Sequence, residues 1–428
     1  MTRLHAAGFP ADAVRARARH GCAAAFPGIE EYGQTVYGQS PAYAADALDA
    51  FRLVPPIFMP QRLEKLIDLG REPLYTDVQL ATEIGGFRSP FPLSLSAFGS
   101  TQIASTDLGL AVSLQAARLG IPMVIGENVV PVNGYGRLGT DTERSLLDRL
   151  RAYAGAVPDG LGGVVVQQST EDADAEVWNL VYSDPSAQHL LHTGRLGFEL
   201  KAGQGAKPGL GGMTVLGRPA AKSVADQFAI DPIYGDSSDY VLRSASPGTL
   251  TEEILRQQIR LMRNNFPRAR IWVKLHPASD VATAAQVAWQ AGADAVTVDG
   301  AEAGTGWAPL AFLDHVGLPL AECLLRLGAP GSCLLAGGRM WEGSRMAKSI
   351  ALGARAATIG RAALLAVDED PEAGFVRLVE CAALELRMLI SALGKYSPAD
   401  LRPEDLWSPA DPAPRDIAHP QPAEVSTP

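Results

Sequence analysis

The chain has 428 residues, 47% hydrophobic and 20% charged, with a formal net charge of −10. That acidic balance argues against non-specific binding to nucleic acid or an anionic membrane, so a bound phosphate has to be held by local amides and a few basic side chains. Four cysteines, Cys22, Cys323, Cys333 and Cys381, stand without CxxC or zinc-type spacing and read as reduced thiols.

The amino-terminal stretch is rich in arginine and alanine but has no apolar run long enough for a signal core or a membrane span, so the expected location is the cytoplasm. Residues 1–80 mix helical patches with breaks at Pro55, Pro56 and Pro60 and are expected to form an N-terminal helical extension, in which LEKLIDLG reads as a short helix closed by Gly70. From residue 90 the pattern becomes short apolar runs: PLSLSA, PMVIGE, GVVVQQ, FELKA, IWVKL, AVTVDG, CLLAGG and AATIGR. Helical segments lie between several of them. In TEEILRQQIRLMRNNF the residues Leu255, Ile259, Met262 and Phe266 recur at helical spacing, and Thr249 with Glu252 resembles a capping box.

Eight strands with intervening helices predict an α/β fold, a (β/α)8 TIM barrel over residues 81–370, in preference to an open doubly wound sheet. The connection after the fourth strand is an insertion of about seventy residues, far beyond an ordinary βα loop. Residues 371–407 are expected to form a helix packed on the barrel, with an apolar stripe at Val376, Val379, Ala383, Leu386, Ile390 and Leu393. Residues 408–428 are proline-rich and aperiodic and read as a disordered tail.

A barrel places its chemistry in the loops that follow the strands. After the fourth strand comes AGQGAKPGLGG, whose five glycines allow backbone amides to approach an anion or a planar ring, although such a loop taken alone reads as a flexible turn. AGGR at 336–339 and IGRA at 359–362 follow the seventh and eighth strands and together favour a phosphate site. Lys274 ends an apolar strand and needs an anionic partner if it points into the barrel mouth. His276, next to Pro277, reads equally as a loop histidine or a catalyst.

GRLGFELKAGQGAKPGLGG, VDGAEAGTGWAP and FLDHVGLP resemble motifs of the FMN-binding synthase domain of glutamate synthase, especially its archaeal-type form and the flavin subunit of N-methylglutamate synthase. The resemblance implies FMN as cofactor. Matched position by position, it implies cofactor contacts from Ser96, Ala97, Phe98 and Gly99 after strand one and from Gln167 on strand three. It implies further contacts from Lys201, Gln204 and Gly205 around the long glycine loop, and from Lys274, Gly304, Thr305 and Gly306. Gly337, Gly338, Arg339, Gly360 and Arg361 match the phosphate site. Catalytic roles are implied for Lys274 on the reduced flavin, Lys207 on a substrate carboxylate, and Glu302 or Glu127 in proton handling.

The departures narrow the expectation. Ala97 stands where the family has a flavin-contacting serine; the loop after strand two keeps Gly126 and Glu127 but not the glycines that follow; Ala303 and Trp307 replace smaller residues. The three cluster cysteines expected after strand eight are missing, so no iron–sulfur cluster is expected, and no amino-terminal glutaminase segment is recognisable. The resulting expectation is an FMN-dependent oxidoreductase acting on the C–N bond of a glutamate-like amino acid through an imine, by redox-neutral amine exchange. Its partners would be an amino acid, a 2-oxo acid and an amine, with homo-oligomerisation or companion subunits and neither nucleic acid nor membrane. A flavin enzyme for a different amine and a flavin-free, non-catalytic subunit remain as alternatives.

Overall fold

The computed structural model describes residues 4, 6, 9–25, 47–98, 107–126, 140–169, 177–203, 210–222, 224–233, 237, 239–304, 308, 309, 312 and 315–408. Eight parallel strands close into a barrel: β1 (Leu93–Phe98), β2 (Met123–Ile125), β3 (Val164–Ser169), β4 (Leu196–Lys201), β5 (Arg270–Leu275), β6 (Ala295–Asp299), β7 (Leu334–Gly337) and β8 (Ala356–Ile359). Closure is by β8 against β1. These are the eight apolar runs of the sequence, in the same order.

Strand side chains alternate between the barrel interior and the helical shell. The register fixes which residues meet inside. Glu199 lies opposite Gln167 on one side and Trp272 on the other; one step nearer the carboxyl end of β5, Lys274 lies opposite Lys201 and Thr297; Asp299 lies opposite Gly337. The interior thus runs from an apolar floor to a charged mouth.

The floor is a feature the sequence pattern did not reveal. A hairpin, Thr82–Ile84 paired with Phe87–Ser89, inserts under the strands, and its Ile84 and Phe87 pack with Val124, Val165, Trp272, Ala295, Leu335 and Ala356. Phe87 and Trp272 rings lie 5.6 Å apart, and the Trp272 indole N–H donates to the Gly85 carbonyl at 3.1 Å. Gly85 has φ +54, and a Cβ there would lie 2.3 Å from Trp272 Nε1.

The shell holds the ends of the chain. Helix Ala11–His20 is tied to the helix after β8 by Arg15, which pairs with Asp368 at 2.8 Å and Glu369 at 2.9 Å. Helix Gly374–Ala392 buries Val379, Ala383, Leu386 and Ile390 of its expected stripe. The extension is not wholly helical: its Arg52–Leu53 pairs antiparallel with Leu406–Trp407. Helix Pro60–Leu69 ends at Gly70 with φ +65, as expected, and buries none of its residues. Between β4 and β5 the described part of the insertion forms an antiparallel sheet with Tyr240–Ser244 between Met213–Gly217 and Ala229–Asp231, followed by helix Glu252–Asn265. That helix is capped by Thr251, whose hydroxyl accepts from the Ile254 N–H at 3.2 Å, and not by Thr249. Threonine two residues later is the one whose extended backbone faces the first free amides.

Gly85→Ala would force both a left-handed alanine and a clash with the floor tryptophan, and is expected to cost about 2–5 kcal/mol, read as a lower urea midpoint with an unchanged denaturant slope.

Candidate active site at the barrel mouth

Lys274 is 7% exposed and its ammonium lies 3.1 Å from Asp299 Oδ2 across the β5–β6 pair. The lysine that the sequence required to find an anion therefore finds one on the next strand. Below it, Glu199 is 1% exposed, with its carboxylate accepting from the Gln167 side-chain amide and, at 3.3 Å, from the Thr297 hydroxyl. Burial raises the proton affinity of Glu199, and the nearby Lys274 partly offsets that rise. Neither Glu199 nor Asp299 was singled out in the sequence. The available signal was strand parity, since Glu199 is two residues before Lys201 and so shares its inward face.

At the ends of β7 and β8 the glycines leave room that side chains would fill. A Cβ on Gly337 would lie 2.3 Å from Asp299 Oδ1 and 2.8 Å from Thr358 Oγ1, so only glycine lets the Asp299 carboxylate stay beside Lys274. Gly338 and Arg339 have φ +149 and +49 and turn the chain over the barrel rim. The Gly338 carbonyl accepts from Arg345 Nη2 at 3.0 Å, and Arg345, fully buried, is paired with Asp49 of the amino-terminal extension. Arg339 reaches the same carboxylate at 3.9 Å. The extension is therefore part of the rim. Arg345 and Asp49 were not legible in the sequence, because 296 residues separate them.

Gly360 opens the helix Arg361–Glu369 beside Ser96 of β1, a Cβ there lying 3.7 Å from the serine Cβ. Arg361 donates to the Glu302 carbonyl at 2.5 Å, and its guanidinium is brought down to about 10, first by burial and then by repulsion from Arg339. A second cation that close makes the rim a place where an anion is stabilised. Gly304 rests on Arg361: a Cβ there would be 3.0 Å from Arg361 Cδ.

Glu302 is bound at a helix start, its carboxylate accepting from the Leu320 N–H at 3.0 and 3.2 Å where helix Leu320–Leu327 begins. Helix amides and dipole both favour a carboxylate there. His276 packs at the foot of the glycine loop, where a Cβ on Gly203 would lie 2.2 Å from its Nδ1. Burial lowers its proton affinity, a hydrogen bond to Ala202 opposing that. Ala97 packs against the floor cluster, while the Phe98 carbonyl accepts from the Gly126 N–H at 3.0 Å. Lys201 lies at the end of β4, in register with Lys274. Gly99, Glu127, Gln204, Gly205, Lys207, Thr305 and Gly306 lie outside the described residues. The cysteines are dispersed: Cys323 and Cys381 are buried, Cys333 is half-buried and Cys22 is exposed.

The architecture defines a class before any comparison: a closed (β/α)8 barrel with glycine turns after β7 and β8 and a charged mouth. The conserved region in glutamate synthase matches residues 134–369, and the chain belongs to this family. An archaeal-type NADPH glutamate synthase of Dehalococcoides mccartyi is 29% identical over 307 residues, covering 69% of this chain and 57% of the relative. A glutamate synthase large subunit-like protein of Rhizobium meliloti is 29% identical over 284 residues, covering 62% of this chain and 60% of the relative. The chain thus spans a little under two thirds of the length of these relatives. Among solved structures, a soluble mutant of the membrane-associated (S)-mandelate dehydrogenase from Pseudomonas putida shares the fold at a TM-score of 0.54 and 18% identity, over 94% of this chain and 99% of that one. Among the described residues, no helix is long and apolar enough to cross a membrane.

Because Glu199 binds its proton more tightly in the folded state than in the unfolded chain, its contribution to stability is present at low pH and is lost as pH rises through the folded value. Glu199→Gln removes this loss: the wild-type stability, measured by urea unfolding, should fall relative to the variant as pH rises above the ordinary carboxylate range.

Proposed function

We propose that the chain is an FMN-dependent oxidoreductase of the glutamate synthase kind that acts on the C–N bond of a glutamate-like amino acid through an imine. The carrying observation is the family match over residues 134–369, which takes in β3 to β8 and hence Lys274, the long glycine loop and both rim turns. The residues present fit the cofactor. A Cβ would be crowded at Gly337 and strained at Gly338, Gly360 opens the helix after β8, and Arg361 is repelled by Arg339, which a phosphate between them would relieve. FMN, when bound, supplies the acceptor and donor for a hydride.

The protein residues supply the rest. Arg361, Arg339 and the amides at 337, 338 and 360 hold the phosphate, with Asp49 and Arg345 fixing the rim. Lys274, restrained by Asp299, places a positive charge at the mouth for the charge that accumulates on a reduced ring. Ser96, Ala97, Phe98, Gly99, Gln167, Lys201, Gln204, Gly205, Gly304, Thr305 and Gly306 complete the cofactor surroundings. Lys207 pairs with a substrate carboxylate and Glu127 handles a proton. Glu302, bound at the helix start, holds the loop after β6 in place while its carbonyl orients Arg361.

Redox-neutral amine exchange, as in N-methylglutamate synthase, is the form of the reaction favoured by the missing cluster cysteines: oxidation of the amino acid, exchange of the amine, and reduction back need no external electron donor. Residues 81–370 would form the flavin barrel, residues 1–80 and 371–407 its flanking elements and 408–428 a tail. Homo-oligomerisation or companion subunits for ammonia or amine delivery belong to the same reading, since a relative is described as a glutamate synthase large subunit-like protein. A cytoplasmic location, with no membrane or nucleic-acid partner, accords with the acidic balance.

Anaerobic addition of glutamate to the FMN-loaded protein should bleach the flavin, and 2-oxoglutarate with methylamine should restore it. Bleaching by another amine but not by glutamate would transfer the protein to that substrate, and a purified protein with no flavin spectrum even after added FMN would refute the reading. Arg361→Gln should weaken FMN binding about 10- to 100-fold, as loss of a charge-assisted hydrogen bond does, read by fluorescence titration. Lys274→Met should retain the flavin but slow its reduction by about 100-fold or more, read by anaerobic stopped flow.

A further inference from the structure

We propose that Glu199 is the proton store of this barrel, taking up one proton as the bound flavin accepts a hydride from an amine and releasing it as an imine is reduced. The proposal rests on the flavin reading above and assigns a role to a side chain that reading leaves unused.

Glu199 lies at mid-strand in β4, facing inward, below the charged mouth. Its oxygens are held by neutral donors, the Gln167 amide from β3 and the Thr297 hydroxyl from β6. These contacts orient the carboxyl without supplying charge. Among the described residues, the charged groups that face it are Lys274 of β5, Asp299 of β6 and, at the end of its own strand, Lys201. Lys274 is already in direct contact with Asp299 at 3.1 Å. Two buried carboxyls therefore lie in the field of Lys274, and a reduced ring above it would compete for the same charge. Asp299 is in direct contact with the ammonium, whereas Glu199 accepts from neutral donors and is the member that can be neutralised in place. Burial already favours its protonated form.

The step balances. Oxidation of the amine breaks its Cα–H bond, which leaves as hydride, and an N–H bond, whose electron pair forms C=N while the proton departs. Two electrons and one proton reach the ring, which gains one negative charge; the second proton is matched by uptake at Glu199. Reduction of the imine returns the hydride to carbon, and the proton leaves Glu199 as the amine N–H forms. Over a full cycle no proton is gained or lost, which suits an exchange reaction without an external electron donor.

The test is the pH dependence of the flavin midpoint potential of the FMN-loaded enzyme from neutral to mildly alkaline pH. Uptake of two protons per two electrons gives a slope of about 59 mV per pH unit, and one proton about 30 mV. Wild type should show the steeper slope and Glu199→Gln the shallower. A neutral-carboxyl infrared band should appear on reduction of wild type and be missing from the variant. Thr297→Val, which removes a donor favouring the ionised form, should keep the steeper slope to higher pH, and tests the role even where Glu199→Gln fails to fold. A wild-type slope of one proton, or a Glu199→Gln slope equal to that of wild type, overturns the proposal. A protein that takes up no flavin refutes the flavin reading and this proposal with it, whereas normal flavin binding with unchanged slopes refutes the proton store alone.

Discussion

The contact on which the site depends is the buried ion pair between Lys274 and Asp299. A lysine at 7% exposure with no counter-charge would be unfavourable by several kcal/mol, so the barrel mouth is arranged to keep Asp299 in reach. Gly337 is required beside that carboxylate, since any Cβ there would collide with it. Directly after it the chain turns through Gly338 and Arg339, both at positive φ. One electrostatic requirement thus links the centre of the mouth to its rim.

Below the pair, the interior is layered by polarity. The floor is closed by the 82–89 hairpin against Trp272, and only above it do Gln167, Glu199 and Thr297 appear. Excluding water from beneath strengthens every charge–charge interaction above, because the effective dielectric is lower. It also ties charges together: a change at Lys274 is felt by Asp299 and Glu199 alike.

The amino-terminal extension enters the same network from outside. Asp49 joins Arg345 and Arg339, and Lys348 donates to the Asp49 carbonyl at 3.1 Å, so a segment distant in sequence anchors the strand-seven turn. The pairing of Arg52–Leu53 with Leu406–Trp407 brings the carboxyl-terminal part of the chain to the same side. Both flanking segments thus pack against the barrel's outer shell, and the amino-terminal one also reaches its rim.

The sequence by itself determined the barrel strands, the glycine turns, the helix stop at Gly70 and the family, because strand periodicity, glycine conformational freedom and a run as unusual as GQGAKPG are local properties. It also required a partner for Lys274, through the cost of burying an unpaired charge. Which partner, Asp299, and the positions of Glu199 and Thr297 relative to it, were decided only by strand register, which the strand sequences do not state. The hairpin floor and the Asp49–Arg345 contact were likewise beyond local reading: two three-residue strands and a lone aspartate have no periodicity, and their meaning comes from packing against residues 187 and 296 positions away. Tertiary structure decided these features because burial and charge pairing depend on distance in space, to which distance along the chain is no guide.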